Sequence, residues 1–254
     1  MKISSLKNSI INLLFPPKCI VCGEMIDALK DIKAINCICP KCRVSYESMF
    51  FSVCSECNKS VARCTCGVKR RTTEIAPLAK CFYYKPDRET YIGNRIIFQL
   101  KRMDDKRIAQ LLANELAEIV LCMLKSEGMS PEDCMFTFVP RRRGAIHKYG
   151  FDQGRRLAYY TAKALSCKEN FKSLLLRRGS REQKKLDANA RDKNLAKALS
   201  IRPRYAKYVK DKIICVIDDV VTSGATMRAA EKTLVSYGAK RVVFACVAKT
   251  KSDK

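Results

Sequence analysis

The chain has 254 residues, 47% of them apolar, with 50 basic against 25 acidic side chains and a formal net charge of +25. That is enough for one α/β domain plus a small module with a proper core, and the charge points to polyanionic company such as nucleic acid, nucleotide or diphosphate. No apolar run is long enough to span a bilayer, and the apolar stretch Ile10 to Pro17 lacks a small-residue cleavage site, so neither a membrane span nor a signal peptide is expected.

In chain order, Ile10 to Pro17 reads as a short amphipathic helix ahead of the first cysteine pair. Eight of the 15 cysteines then fall in four close pairs: Cys19/Cys22, Cys39/Cys42, Cys54/Cys57 and Cys64/Cys66. Without a secretion signal, thiolate ligation in a reducing cytoplasm is the better reading than disulfides. Two cysteines separated by two residues form a knuckle, and two knuckles complete a tetrahedral zinc site. Sequential pairing puts Cys19, Cys22, Cys39 and Cys42 on one ion and Cys54, Cys57, Cys64 and Cys66 on a second. Interleaved pairing is also open, and the last pair has only Thr65 between its members. Gly23 and Gly67 follow Cys22 and Cys66, where tight turns are needed.

Cys37 is expected to be a bystander. Cys81, Cys122, Cys134, Cys167, Cys215 and Cys246 lie in or beside apolar segments and read as small buried hydrophobes. All-cysteine zinc sites are closed, and His147, the single histidine, is far away in sequence, so the zinc is expected to be structural. A module this small has little core of its own and draws folding free energy from its metal. Lys59, Arg63, Lys69, Arg70 and Arg71 make its second half basic, which leaves room for nucleic-acid contact.

A boundary is expected near Thr72 to Pro77, dividing a zinc-binding module, 1–72, from a second domain, 73–254. Leu78 to Tyr84 reads as a strand. Ile92, Ile96, Ile97 and Leu100 look helical, and Ile108, Leu111, Leu112, Leu116, Ile119, Val120, Met123 and Leu124 give a clear helical stripe ending near Gly128. Met135 to Val139 is the next strand. It runs into Pro140 and Arg141-Arg142-Arg143, and an arginine-bearing loop after a parallel strand suits a diphosphate. Gly150-Phe151-Asp152-Gln153 precedes a helix with Leu157, Ala158 and Leu165. Ser173 to Leu176 reads as a strand leading into a polar segment, Arg177 to Lys185. Val242 to Ala248 supplies a last strand.

The richest stretch is Val216 to Met227, Val-Ile-Asp-Asp-Val-Val-Thr-Ser-Gly-Ala-Thr-Met. The apolar run Ile213 to Ile217 suits a buried parallel strand. It leads to the adjacent carboxylates Asp218 and Asp219, a small hydroxylated turn, and a helix with Met227, Ala230 and Leu234 on one face. A helix N-terminus binds phosphate through unpaired N–H groups and the dipole. Thr222, Ser223 and Thr226 add hydroxyls, and Gly224 and Ala225 let the backbone approach closely. The carboxylates repel phosphate but suit sugar hydroxyls and magnesium.

This stretch resembles the phosphoribosyl diphosphate (PRPP) signature of type I phosphoribosyltransferases, an α/β fold with a parallel sheet flanked by helices. The resemblance implies that Asp218 and Asp219 hold the ribose, and that Val220, Thr222, Ser223, Gly224, Ala225 and Thr226 belong to the PRPP-binding segment. In that class the first sheet strand ends in a diphosphate loop, here Val139 to Arg143 with Arg141 and Arg142. A flexible catalytic loop falls in the part of the fold occupied by Arg177 to Lys185. The multi-cysteine module, the Gly150 to Gln153 element, and a Gln183, Leu186, Arg191, Asn194 element together resemble the ComF family from about Phe15 to Lys249. Asparagine is usual there where Asp152 stands.

The resemblance implies a cytoplasmic protein with structural zinc in an N-terminal zinc-ribbon module and magnesium accompanying PRPP. It also implies service in natural competence: uptake and handling of single-stranded DNA, with a DNA helicase of the uptake machinery among its partners. If catalytic, Asp218, Asp219 and Arg141 would act in transfer at the ribose C1. Two other readings stand beside it. One is a metabolic phosphoribosyltransferase acting on a base or amine, for which no base-recognition hood is visible. The other is a non-catalytic nucleic-acid module, although the chain has no tryptophan and only 8% aromatics.

Overall fold

The computed structural model describes residues 16–26, 37–51, 53–54, 57–61, 64, 68–69, 75–85, 91–177 and 199–250. The early elements are α1 (Pro40–Ser48) and the short antiparallel pair β1 (Val68–Lys69) and β2 (Ile75–Ala76). Then come β3 (Leu78–Tyr84), α2 (Ile92–Arg102), α3 (Lys106–Ser126), β4 (Cys134–Phe138), α4 (Arg143–Tyr149) and α5 (Gln153–Ala164). The chain closes with β5 (Leu175–Arg177), β6 (Leu199–Ile201), β7 (Ile213–Val221), α6 (Ala225–Ser236) and β8 (Arg241–Thr250).

Four strands form a parallel sheet in the order β3-β8-β7-β4. Both of its faces are covered, which is why its strands read as continuous apolar runs. On β7, Cys215 and Ile217 face one hydrophobic cluster while Ile214 and Val216 face the other. β8 divides the same way, with Val243, Ala245 and Val247 against Val242, Phe244 and Cys246. Leu112, Leu116, Leu157 and Ala158, from α3 and α5, fill the first layer. Met227, Ala230 and Leu234 of α6 fill the second, with Leu175, Leu199 and Ile201 of the β5–β6 pair. Each such fully buried Leu or Ile contributes roughly 1.5–3 kcal/mol.

The cysteine-rich segment shares that core. Ile20, Ile26, Ile38, Tyr46 and Met49 are buried in the same cluster as Phe82, Ile96 and Leu116. Tyr46 meets Phe50 edge-on at 5.2 Å, Phe50 meets Phe82 at 6.5 Å, and the Tyr46 hydroxyl donates to Glu115 on α3 at 3.3 Å.

Some expectations shift. The strand expected to end at Ile217 continues to Val221, because β8 pairs with it through Val221↔Lys249. The acid pair therefore lies inside β7 rather than after it. β3 joins the sheet before β4, so the strand bearing the arginine loop is second in chain order. The strand expected at 173–176 forms over Leu175–Arg177. Cys122 is exposed, not buried, because it falls on the flank of α3 away from the Leu112, Leu116, Ile119 and Val120 stripe. The helix expected from residue 10 lies largely outside the described residues. So do Cys66, Gly67, and the element Gln183, Leu186, Arg191 and Asn194.

Candidate functional site

Two groups of sulfur atoms gather at the expected pairs in sequential order. Cys19, Cys22, Cys39 and Cys42 form one group and Cys54, Cys57 and Cys64 the other, with ligand atoms within 4.8 Å of one another in each. Cys66, assigned to the second group from sequence, lies outside the described residues, and Cys37 stands apart from the first. The Cys22 and Cys39 sulfurs are 3.6 Å apart and those of Cys57 and Cys64 are 3.5 Å apart. A disulfide needs about 2.05 Å. The edge of a tetrahedron with metal–sulfur bonds of about 2.3 Å is about 3.8 Å. None of the described cysteines is in a disulfide. The spacing fits zinc.

The two knuckles are built alike. Cys19 N–H donates to the Glu24 carbonyl and Gly23 N–H returns to Cys19; Cys54 N–H donates to Lys59 and Asn58 N–H returns to Cys54. Bridges Lys18↔Met25 and Val53↔Ser60 close each loop. The residue after the second cysteine is left-handed in both, Gly23 at φ 78° and Asn58 at φ 55°. Asparagine tolerates that conformation better than most side chains, so the second knuckle works without a glycine. Burial pushes the Cys19 thiol up, but N–H donors from Cys39, Cys22 and Val21 outweigh it and hold it at about 7, where a thiolate forms readily.

The second site is a cavity of about 330 Å³ at the carboxyl end of the sheet. It exists because the strands end unevenly. Val139 N–H still reaches the Ile217 carbonyl at 3.2 Å, but Pro140 has no N–H and β4 pairing stops at Phe138↔Ile217. β7 runs on beside β8 alone, so Asp218 and Asp219 border an opening where β4 would have been. Ligands in open α/β sheets bind at this end.

Asp218, Asp219, Arg141, Arg142 and Thr226 all line the cavity, with Val139 and Pro140. Burial and then the adjacent Asp219 push the Asp218 carboxyl well above the usual carboxylate range, against the pull of Lys101 and Arg177. Asp219 is only 5% exposed. Its Oδ2 accepts from Gln153 Nε2 at 2.9 Å and lies 3.7 Å from Lys101 Nζ, and its Oδ1 accepts from Val220 N–H. The Val220 side chain packs against the core instead of the cavity.

Thr222 and Ser223 are exposed on the turn before α6. Gly224 is left-handed at φ 75° and opens that helix, and Ser223 Oγ accepts from Ala225 N–H at 3.4 Å. Within this turn, Thr226 is the residue that reaches the cavity wall.

Arg141 lies in the expected loop and on the cavity wall, and it is also anchored away from the cavity. Its Nη2 donates to the Lys101 carbonyl at 2.9 Å and its guanidinium lies 4.5 Å from the Tyr149 ring centre. The bond to Lys101 ties the loop to α2. Asp152 fixes the same loop from the other side. Its Oδ2 accepts from Arg141 N–H at 2.9 Å while its Oδ1 caps α5 through Arg155 N–H at 3.2 Å. A carboxylate accepts at both oxygens; an asparagine in this pose would turn its NH2 towards one of these donors.

Sequence reasoning missed Lys101, Gln153 and Arg177 as cavity residues. Gln153 had a signal, since it ends the Gly150 to Gln153 element, and Arg177 opens the polar segment after β5. Burial, then Arg142, hold the Arg177 guanidinium below its ordinary value, with Asp218 opposing. Lys101 sits at the end of α2 with no motif around it. Among the described residues, buried Arg141 Nη1, Gln153 Oε1 and Arg177 Nε have no hydrogen-bond partner. Orphaned polar atoms beside a cavity fit a polar, anionic ligand with hydroxyls.

Residues 153–254 match the phosphoribosyl transferase domain family. Over 226 residues the chain is 26% identical to the DNA utilization protein YhgH of Salmonella typhimurium and 24% identical to that of Escherichia coli K12, each alignment covering 84% of this chain and 97% of the relative. The parallel sheet, the acid pair towards its carboxyl end and the cysteine groups before it agree with both matches, and together they support a ComF-like protein with a type I phosphoribosyltransferase domain.

Proposed function

We propose that this protein binds PRPP, or a nucleotide carrying the same ribose 5-phosphate, in the cavity at the carboxyl end of β7, and that it serves DNA uptake or single-stranded DNA processing in the cytoplasm. The observation that carries the reading is the convergence of two adjacent carboxylates with Lys101, Arg142 and Arg177 around one cavity. Asp218 and Asp219 would hold the ribose hydroxyls, and the turn Thr222 to Thr226 would hold the 5-phosphate at the start of α6. Magnesium bound with the ligand would neutralise diphosphate charge. Arg142 and Arg177 face the place where such charge would lie; Arg141 would shape the loop and offer its remaining Nη1.

In a transferase reaction the C1–oxygen bond to diphosphate breaks and diphosphate leaves with the electron pair. An acceptor lone pair then forms the new bond at C1. The two carboxylates would stabilise positive charge developing on the sugar. The acceptor would be a second ligand.

The test is thermal unfolding with PRPP and magnesium. Wild type should gain melting temperature, and Asp218→Ala/Asp219→Ala should lose most of that gain. An equal gain in the double variant would remove the sugar-site assignment. For the DNA role, the relatives' name, DNA utilization protein, and the charge of +25 support contact with DNA, which the proposal takes to be a single strand. Cations flank the cavity and also crowd Arg202, Arg204, Lys207, Lys210 and Lys212 beside Tyr205 and Tyr208, so charge alone does not locate the strand. Oligonucleotide affinity should fall steeply with salt; salt-insensitive or absent binding would count against it.

A further inference from the structure

The second cysteine group reaches beyond its own segment. Lys80, in the middle of β3, is fully buried, and its Nζ donates to Cys64 Sγ at 3.0 Å and to the Cys64 carbonyl at 3.3 Å. Tyr83, on the same strand, donates its hydroxyl to Cys54 Sγ at 3.1 Å. Successive strand residues point to opposite faces, so positions 80 and 83 leave β3 on different sides. Both can reach one group of sulfurs only if that group lies across the strand's free edge. Among the described residues β3 is an edge strand, paired in the main sheet with β8 alone.

A buried ammonium is costly unless it meets an anion. A divalent ion with the three described thiolates, Cys54, Cys57 and Cys64, carries one excess negative charge, which one lysine offsets. The first group is served differently. Cys19 Sγ accepts from the backbone N–H groups of Val21 at 3.4 Å and Cys39 at 3.3 Å, both from its own segment.

We propose that Lys80 and Tyr83 are outer-shell positioning residues for a metal ion at the Cys54, Cys57 and Cys64 centre, so that the edge strand of the phosphoribosyltransferase sheet helps to hold that ion. Lys80 supplies charge and a hydrogen bond, Tyr83 a hydrogen bond alone. The centre in turn covers an edge that would otherwise be open to pairing. This rests on the zinc reading of the cysteine groups and not on what the cavity binds.

The full chain is purified with zinc, and metal content and release to a chromogenic chelator are followed for wild type, Lys80→Met, Lys80→Gln and Tyr83→Phe. Wild type should hold two equivalents. Lys80→Met should lose one, or release it about tenfold to a hundredfold faster, while the other equivalent is released as in wild type. Lys80→Gln and Tyr83→Phe should fall between. In cobalt-loaded protein, Tyr83→Phe should move the sulfur-to-cobalt absorption, which a purely structural role would leave unchanged. If Lys80→Met does not fold, Tyr83→Phe still decides, by release rate and spectrum. Two equivalents released at wild-type rates from every variant, with an unmoved cobalt spectrum, would overturn the proposal. A wild-type chain holding only one equivalent would overturn the second centre itself.

Discussion

The cysteine region and the cavity treat negative charge in opposite ways. Around the sulfurs, donors are already supplied: backbone N–H groups at Cys19, an ammonium at Cys64 and a phenol at Cys54. Around the cavity, two carboxylates adjoin one another and raise the protonation of Asp218, while Gln153 Oε1, Arg141 Nη1 and Arg177 Nε lie buried without partners among the described residues. Arg43 is the exception in the cysteine region, with two such nitrogens. The first region is arranged for stability. The second holds polar groups without partners among the described residues, a burden typical of binding sites.

If that contrast is right, substitutions in the two regions should move stability in opposite directions. The largest effect is expected for Cys39→Ser. It removes a ligand from a centre whose neighbours Ile20, Ile38 and Tyr46 belong to the main core. The cost should be about 4 kcal/mol or more, with one zinc equivalent lost, by denaturant titration and metal analysis. A variant as stable as wild type and fully loaded would break the contrast on the cysteine side.

A smaller effect of opposite sign is expected for Asp218→Asn. Removing one of two adjacent carboxylates, one half-buried and one buried, should relieve about 1 kcal/mol and raise the ligand-free melting temperature by about 2–4 °C at neutral pH, while abolishing the shift with PRPP. A lowered ligand-free melting temperature would show that the acid pair is structural.

The smallest effect is a pH slope. The folded-state value of Asp218 is raised above the unfolded value of about 3.9. The folded chain therefore keeps a proton that the unfolded chain has released. Ligand-free stability from this group is greatest below about pH 3.9, falls as pH rises towards the raised value, and is level above it. Asp218→Asn should flatten that part of the profile, and binding of PRPP with magnesium should release a proton. An unchanged profile in the variant would place the titration elsewhere.

Features written in one short stretch were legible before the fold. Cysteine spacing is set by knuckle geometry, so the first three pairs and Cys64 could be read directly, and sequential grouping followed once the loops were seen. The strand, acid pair, turn and helix from Ile213 to Ser236 are contiguous, and only the strand's end moved. Features assembled across the chain were not legible. Lys101, Gln153 and Arg177 reach one cavity from α2, α5 and β5, and nothing local marks Lys101. Lys80 and Tyr83 sit in a strand that reads as core, where a lysine is a solitary oddity until Cys64 is beside it. Arg141 lay in the expected loop, but its carbonyl and ring partners come from distant or adjoining elements that composition does not reveal.

The most direct measurement is calorimetric titration of PRPP into the magnesium-containing, zinc-loaded full chain, with ribose 5-phosphate and Asp218→Ala/Asp219→Ala as controls. Saturable binding in wild type, weaker for ribose 5-phosphate and lost in the double variant, is the predicted result. Binding that survives without both carboxylates, or none in wild type, would contradict the assignment of the cavity to a phosphoribosyl ligand.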